Sequence, residues 1–193
     1  MEHYYTIQGE GYNTGTPAYF LRLGGCDVGC VWCDVKESWN PGKHPVTSSE
    51  EMLQFVKKSN ATTAVITGGE PLMYNLNLFT DIFRRNDIRL WLETSGAYPL
   101  SGKWDWICVS PKKFKAPLDE TLAIADELKV VIYNLSDFDW AEQHAAHVKE
   151  SCKLFLQPEY SRRQEMLPEI IEFTKQNPRW RISLQTHKYM NIP

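Results

Sequence analysis

The sequence predicts an α/β fold built on a mainly parallel β-sheet. Short runs rich in β-branched, aromatic and leucine residues alternate with stretches that repeat apolar residues every three or four positions, as strands alternate with helices. Because parallel strands need a long crossover connection, usually a helix, the alternation favours βαβ units. The chain of 193 residues is long enough to enclose a hydrophobic core, and we expect one domain over residues 1–193.

The predicted strands indicate where a ligand binds. Seven are expected, at residues 18–23, 63–68, 89–94, 106–110, 128–133, 153–157 and 180–185. Five of them are followed by polar or glycine-rich segments: TGGEP (67–71), ETSG (93–96), SPK (110–112), QP (157–158) and THKY (186–189). Ligands of parallel α/β folds bind beyond the carboxyl ends of the strands, so we expect these segments to meet at one polar rim.

Helices are predicted between the strands. Five are expected, at residues 48–59, 76–86, 119–127, 137–148 and 166–177. The first has a serine suited to cap a helix, an acidic first turn and lysines at its end. The third and fourth show the helical pattern more weakly. The stretch 36–48 contains proline and glycine and is predicted to be a loop.

Three cysteines near the start of the chain predict a metal centre. Cys26, Cys30 and Cys33 have the spacing C-x3-C-x2-C, one thiolate fewer than a cubic iron–sulfur cluster needs. The fourth iron of such a cluster would be open to a ligand that is not protein. C-x2-C is also typical of zinc sites, and His44 is a possible fourth ligand. No second C-x2-C pair follows, so the spacing favours a cluster and leaves zinc open.

Composition excludes several classes of function. The formal net charge is −3, without a block of lysine or arginine, which argues against an extended nucleic-acid footprint. No apolar run approaches the length of a membrane span, and the polar start MEHYYTIQGEG is unlike a secretory signal. Thiolates that bind iron suit a reducing compartment, so we expect a cytoplasmic protein.

The cysteine triplet together with TGGEP resembles the radical S-adenosylmethionine (SAM) superfamily. That resemblance implies that the cysteines hold a 4Fe–4S cluster and that the amino and carboxylate groups of SAM complete its fourth iron. It also implies that the Gly-Gly-Glu turn contacts the SAM amino group, and that an adenosyl radical rather than a side chain does the chemistry.

A larger set of segments resembles the 7-carboxy-7-deazaguanine synthase family within that superfamily. These segments are IQGEG (7–11), FLRLGGC (20–26), CVWCD (30–34), LQPE (156–159) and LQTHKYMNIP (184–193), in addition to those at the strand ends. The resemblance implies an incomplete (partial) parallel β/α barrel of the radical SAM type. The implied lyase converts 6-carboxy-5,6,7,8-tetrahydropterin to 7-carboxy-7-deazaguanine in queuosine or deazapurine biosynthesis. It implies a homodimer, Mg2+ as a helper and a flavodoxin-like one-electron reductant.

The resemblance also implies roles for individual residues. The cluster-binding loop is residues 24–36, with Cys26, Cys30 and Cys33 as ligands. The residues implied to bind SAM are Trp32, Cys33, Asp34, Gly69, Glu70, Ser110, Pro111, Lys112, Gln157, Pro158, Glu159 and Tyr160. Those implied to bind the pterin are Ile7, Gln8, Gly9, Glu10, Arg22, Thr67, Glu93, His187 and the carboxylate of Pro193.

Several alternatives stay open. Arg22 in an apolar strand is also compatible with an ion pair, Glu10 with a simple turn, Lys112 with a solvated position and His187 with a structural histidine. The same cysteines and Gly-Gly-Glu turn would serve a radical SAM activase acting on a partner protein. A non-enzymatic zinc or cluster module is the more distant hypothesis.

One position departs from the family pattern. The residue after Asp34 is usually threonine or serine, whose hydroxyl binds Mg2+, but here it is Val35. Valine lacks an oxygen donor, and Mg2+ prefers oxygen ligands. We therefore expect Mg2+ to be held only by substrate and water, or to matter less in this protein.

Overall fold

A computed structural model describes all residues from 1 to 193 and contains one eight-stranded sheet. The strands are β1 (Glu2–Ile7), β2 (Pro17–Leu23), β3 (Thr63–Gly68), β4 (Arg89–Thr94), β5 (Trp106–Val109), β6 (Glu127–Ile132), β7 (Lys153–Pro158) and β8 (Trp180–Ile182). They lie in chain order across the sheet, and only β1 and β2 are antiparallel. Since β1 does not pair with β8, the sheet is open. The predicted α/β fold, a partial barrel, is confirmed.

Six helices connect or follow the strands. They are α1 (Ser49–Lys58), α2 (Asn77–Arg84), α3 (Asp119–Ile124), α4 (Ser136–Ala145), α5 (Arg163–Gln176) and α6 (Thr186–Met190). Ser48 caps α1 as predicted, because its hydroxyl oxygen accepts a hydrogen bond from the Glu51 amide at 3.1 Å. The predicted loop 36–48 contains two short 3-10 turns, Lys36–Trp39 and Pro41–Lys43. None of the helices combines the length and the apolar character needed to cross a bilayer.

The sequence pattern does not predict two elements of the structure, one strand and one helix. Strand β1 was not predicted, because its side chains are largely exposed and it forms an edge strand whose pairing depends on backbone hydrogen bonds to β2. Helix α6 was also not predicted. Strand β8 ends at Ile182 instead of residue 185, since Gln185 is already the residue from which α6 starts.

Helix ends also differ from the expectation. Helix α3 ends at Ile124 because Glu127 already belongs to β6. Helix α4 ends at Ala145 instead of residue 148. Helix α5 starts at Arg163, three residues before the predicted 166, because a 3-10 turn capped by the Glu159 side chain leads directly into it.

Alternation along the strands separates the core from the cavity. Leu90 and Leu92 of β4 belong to the main hydrophobic core, which also contains buried side chains of α2, α3 and α5. Glu93 of the same strand lines the cavity instead. Because successive side chains of a strand point to opposite faces, the same alternation places Thr67, Lys129 and Gln157 on the cavity face.

We expect Phe83→Ala to lower the free energy of unfolding by about 3–5 kcal/mol, because it empties a large site in the core. Phe83 is 0% exposed and stacks on Phe79 with ring centroids 4.4 Å apart. Leu78→Ala on the same helix is the matched control, since Leu78 is 69% exposed, and its effect is expected within about 0.5 kcal/mol. Denaturant unfolding measures both, and equal losses would contradict the packing described above.

Candidate active site

One cavity of about 300 Å3 collects the predicted site residues. All the residues predicted to bind the cluster, SAM or the pterin line it, except Pro111, which is buried outside the lining. The polar strand ends expected to meet at one rim do so, with Thr67, Glu93, Ser110, Gln157 and His187 all in the lining. The lining also includes Lys129, Gln185 and Lys188, which sequence analysis did not select as site residues.

The three cysteines face this cavity as free thiols. Cys30 is buried, whereas Cys26 and Cys33 are half-buried. Burial raises the pKa of the Cys30 thiol to about 11 and also raises that of Cys26. Both thiols are therefore protonated at neutral pH in the metal-free chain, and a bound metal has to displace their protons.

The cysteine geometry does not match a site for a single metal ion. No group of three or more His, Cys, Asp or Glu side chains in the structure is arranged to hold one ion. His44, the possible fourth zinc ligand, bonds through Nε2 to the Glu37 carbonyl at 2.9 Å and lies outside the cavity lining. A cubic cluster binds each thiolate to a different iron, so its ligands need not converge on one point. Three soft donors around an open cavity fit such a cluster.

The TGGEP turn (67–71) packs directly on the cluster-binding loop. A Cβ on Gly69 would lie 2.1 Å from the Gly25 carbonyl oxygen, so only glycine fits there. The Glu70 amide donates to the same oxygen at 2.8 Å. The loop is also held from its other side, because the Gly25 amide donates to the Ser38 carbonyl at 2.6 Å.

Glu70 has a structural role in this turn. Its carboxylate is 1% exposed and accepts four hydrogen bonds, from the Leu72 amide, the Thr94 hydroxyl, and the Ser95 amide and hydroxyl, at 2.6–3.0 Å. All four bonds are within the protein, so the carboxylate is already satisfied. By contrast, the Gly69 carbonyl accepts no hydrogen bond within the protein and is the free acceptor at this turn. A contact between Glu70 and SAM stays a prediction.

A closed ring of hydrogen bonds forms another wall of the cavity. Lys129 donates to Glu10 at 2.7 Å and to Glu93 at 3.0 Å. Gln8 closes the ring, since its side-chain amide donates to Glu93 at 3.1 Å and its oxygen accepts from the Glu10 backbone amide at 3.2 Å. We call these four residues the Lys129 ring. The only sequence signal for Lys129 was a charged residue inside the apolar run LKVVIY.

Charge pairing controls protonation in this ring. Burial on its own raises the pKa of Glu10, but the Lys129 ammonium and hydrogen bonds from Lys129 and Gln185 outweigh it and lower the pKa to about 2. Burial likewise lowers the pKa of Lys129, but surrounding acidic groups keep it above its ordinary value. Glu10 is therefore more than a turn residue: it forms an ion pair with Lys129 in which Lys129 is buried and Glu10 is largely buried.

The ion pair considered for Arg22 is present, whereas its binding of the substrate stays a prediction. Arg22 forms an ion pair with Glu2 at 2.5 Å and donates to the Gly68 carbonyl at 3.0 Å and the Tyr4 hydroxyl at 3.4 Å. It also lines the cavity. Strand β1, which the sequence did not reveal, therefore supplies two of the three partners that orient this guanidinium, and β3 supplies the third.

The C-terminal segment closes over residues 8–11, the QGEG loop. Thr186 donates through its amide and hydroxyl to the Gly9 carbonyl at 2.8 and 2.9 Å. A Cβ on Gly9 would lie 2.3 Å from His187 Nδ1, so glycine permits this contact. Burial lowers the pKa of His187, which favours a neutral imidazole. The Pro193 backbone oxygen accepts from the Thr6 hydroxyl at 3.3 Å.

Comparison with known proteins agrees with this geometry. A family model described as the radical SAM superfamily matches residues 21–136. A 7-carboxy-7-deazaguanine synthase of Flavobacterium psychrophilum is 55% identical over 100% of this chain and 91% of its own length. The Escherichia coli K12 protein of that name is 34% identical over 99% and 97%. The crystal structure of QueE from Escherichia coli superposes with a TM-score of 0.84 at 31% identity, covering 95% of this chain and 91% of that one.

The chain belongs to the 7-carboxy-7-deazaguanine synthase family. This family lies within the radical SAM superfamily, whose members use a 4Fe–4S cluster and SAM.

Another part of the cavity lining contains residues predicted to bind SAM. Lys112 is half-buried instead of solvated, because its ammonium donates to the Ser110 carbonyl at 2.8 Å and lies 5.5 Å from the centroid of the Trp32 ring. The Glu159 carboxylate caps the turn that starts α5, accepting from the Ser161 and Arg162 amides. Tyr160 lies under the Lys188 ammonium, 4.2 Å from its ring centroid.

The segment around Val35 does not supply the Mg2+ ligand that the family pattern implies. Val35 lines the cavity without an oxygen donor in its side chain. Its carbonyl already accepts from the Ser38 amide at 3.0 Å and the Ser38 hydroxyl at 2.6 Å. The Asp34 carboxylate lies 3.6 Å from the Lys188 ammonium. These residues do not fit a protein-held Mg2+.

We expect Gly69→Ala to reduce cluster loading, because the added methyl group collides with the Gly25 backbone and displaces the cluster-binding loop. Iron and sulfide bound per chain after anaerobic reconstitution measure the effect. Gly42→Ala is the control, because a Cβ there meets only the Asn40 side chain, at 3.2 Å. A Gly69→Ala protein that loads as much iron as the control would show that the turn does not position the loop.

Proposed function

We propose that this protein is a 7-carboxy-7-deazaguanine synthase formed by one radical SAM domain over residues 1–193. The proposed reaction converts 6-carboxy-5,6,7,8-tetrahydropterin to 7-carboxy-7-deazaguanine and releases ammonia. The observation that carries the proposal is a single cavity with three cysteine thiols on one wall and the Lys129 ring on another. The first wall suits a cluster and SAM, and the second suits a heterocycle rich in N–H donors.

Cys26, Cys30 and Cys33 would hold the cluster. When bound, the cluster and SAM supply one-electron cleavage of a carbon–sulfur bond and hydrogen abstraction from the substrate. The Gly69 carbonyl, which accepts no hydrogen bond within the protein, would accept one from the SAM amino group. Trp32, Ser110, Lys112 and Gln157 to Tyr160 line the part of the cavity where the rest of SAM would lie.

The pterin would lie across the Lys129 ring. Its amide N–H and amino group are donors, and the carboxylates of Glu10 and Glu93 are acceptors. Arg22 would bind the substrate carboxylate, since a guanidinium matches a carboxylate with two parallel hydrogen bonds. Ile7, Gly9, Thr67, His187 and Pro193 line the remaining part of the same space. The chain's own contribution is to orient the substrate and to keep water from the reacting centre.

Three further features belong to the proposal. An external one-electron carrier, such as a flavodoxin, would deliver the electron near the cluster-binding loop, where Val31 is 66% exposed. A homodimer and a cytoplasmic location follow from the family resemblance and from the need for a reducing environment. The activase and the non-enzymatic module remain alternatives that the assay below separates, since the first would act on a protein and the second would cleave no SAM.

The proposal is tested by anaerobic incubation of the reconstituted protein with SAM, a reductant and the carboxypterin. Mass spectrometry should show 7-carboxy-7-deazaguanine and ammonia in equal amounts. Cys30→Ala should abolish both the charge-transfer absorbance of the cluster and turnover, because it removes a ligand. Cys152→Ala, which removes a buried thiol outside the cavity, should retain both.

Cleavage of SAM without conversion of the pterin would contradict the assigned reaction while leaving the radical SAM assignment intact. Normal cluster absorbance in Cys30→Ala would contradict the assigned cluster ligands.

We expect Val35→Thr to increase the stimulation of turnover by Mg2+, because it restores a hydroxyl oxygen at the wall of the cavity. Turnover is measured in chelator-treated buffer with and without added Mg2+. Val35→Ala is the control, since it changes size without adding a donor. A wild-type dependence on Mg2+ as strong as that of Val35→Thr would show that the side chain at this position does not decide Mg2+ use.

A further inference from the structure

We infer that Lys129 is a positioning residue of the proposed reaction, whose ammonium keeps Glu10 and Glu93 aligned as acceptors for the N–H edge of the pterin. The inference rests on the proposed function and adds a residue to it. Lys129 lies on β6, far in sequence from the cysteine motif and from the TGGEP turn.

The geometry leaves Lys129 little freedom. Its side chain is 5% exposed, and its ammonium bonds to the carboxylates of Glu10 and Glu93. The two carboxylates are therefore held together by one ammonium group. Each carboxylate uses its second oxygen for a glutamine, since Gln185 donates to Glu10 at 2.8 Å and Gln8 donates to Glu93 at 3.1 Å. Every oxygen is thus fixed in direction, and each retains a lone pair for a ligand.

The ring also joins three separate parts of the chain. Glu10 and Gln8 come from the QGEG loop, Glu93 from the end of β4 and Lys129 from β6. Lys129 is the only cation that bonds to both acids. Removing its charge would leave two largely buried carboxylates facing each other without a counter-ion, which is strongly unfavourable.

An ionised acceptor is what the substrate edge requires. A protonated carboxyl group would present an O–H donor to the N–H donors of the pterin, and one hydrogen bond would become a repulsive contact. A site built to accept from N–H groups also rejects analogues that lack them, because its buried acceptors would then be unpaired. Lys129 would therefore support both the affinity and the selectivity of the site without touching the substrate.

Other titratable groups face this ring, and a test based on pH has to distinguish their titration from that of the ring members. Those facing Lys129 or Glu10 besides the ring members are Cys108, Lys112, Glu127 and His187. Glu127 is the most important of these groups, because burial raises its pKa to about 7. The nearby Lys129 charge lowers that pKa, so removing the charge would also change the titration of Glu127. A test based on pH therefore needs a variant that distinguishes Glu10 from Glu127.

The test compares Lys129→Gln, which removes the charge but keeps an N–H donor, with Lys129→Arg, which keeps the charge. Lys175→Gln on the exposed face of α5 is the matched control, because Lys175 pairs only with Glu172. We expect Lys129→Gln to raise KM for the carboxypterin, and its Kd in direct binding, by about 10- to 100-fold at neutral pH. Lys175→Gln should change neither value by more than about 3-fold.

The pH dependence gives the decisive signature. In the wild type the pKa of Glu10 is about 2, so Glu10 is ionised at every working pH and adds no pH dependence to pterin binding. Without the Lys129 charge, burial dominates and raises that pKa, so binding in Lys129→Gln should strengthen as pH rises through the new pKa. Lys129→Arg should show no such limb, and adding Glu10→Gln to Lys129→Gln should abolish it.

Several outcomes would overturn the inference. The first is an unchanged Kd in Lys129→Gln, and the second is a raised Kd without the new pH dependence of binding. The third is the same pH dependence in Lys129→Arg. The fourth is a pH dependence that persists in the double variant and so belongs to Glu127. If Lys129→Gln does not fold, as judged by thermal unfolding, Lys129→Met with its apolar side chain carries the same comparison. Failure of the wild type to bind the carboxypterin would contradict the proposed function as well. Normal wild-type turnover together with an unchanged Kd in Lys129→Gln would contradict this inference alone.

Discussion

The buried carboxylate of Glu70 joins the parts of the molecule on which the site depends. It accepts hydrogen bonds from its own turn and from Thr94 and Ser95 at the end of β4, while its backbone amide holds Gly25 of the cluster-binding loop. A buried charge that lacked these donors would be too unfavourable to persist. The need to satisfy it therefore sets how the TGGEP turn, β4 and the cysteine loop lie relative to one another. Gly69 makes this arrangement possible because no side chain separates the turn from the loop.

The cavity divides into two walls with different physical chemistry. On the cysteine wall, burial keeps the thiols of Cys26 and Cys30 protonated, so that only a metal strong enough to displace protons stabilises them as thiolates. On the wall formed by the Lys129 ring, burial is compensated by the Lys129 charge, and Glu10 stays ionised. Burial therefore has opposite results for the two kinds of group. Glu10 is ionised because Lys129 supplies a counter-charge within the protein, whereas the cysteines receive theirs only with the cofactor.

Much of the site was predictable because its motifs are local. The cysteine spacing, the TGGEP and SPK turns and the C-terminal HKYMNIP segment carried the family resemblance, and the residues chosen from them line one cavity, with Pro111 of the SPK turn as the exception. The central strands were predictable because they are buried and apolar. Strand β1 and helix α6 were not, because an exposed edge strand and a five-residue helix are stabilised by contacts that leave no periodic pattern.

The sequence alone determined the fold class, the positions of the central strands and the cysteine motif, because alternation, turn chemistry and ligand spacing are encoded within short stretches of chain. Only the tertiary structure decided that Glu70 is saturated by protein donors, that Arg22 is paired with Glu2, and that Lys129 joins two acids 119 and 36 residues away. Which partner a buried charge finds is set by how distant strands are ordered in the sheet, and that order cannot be inferred from the neighbours of each residue along the chain.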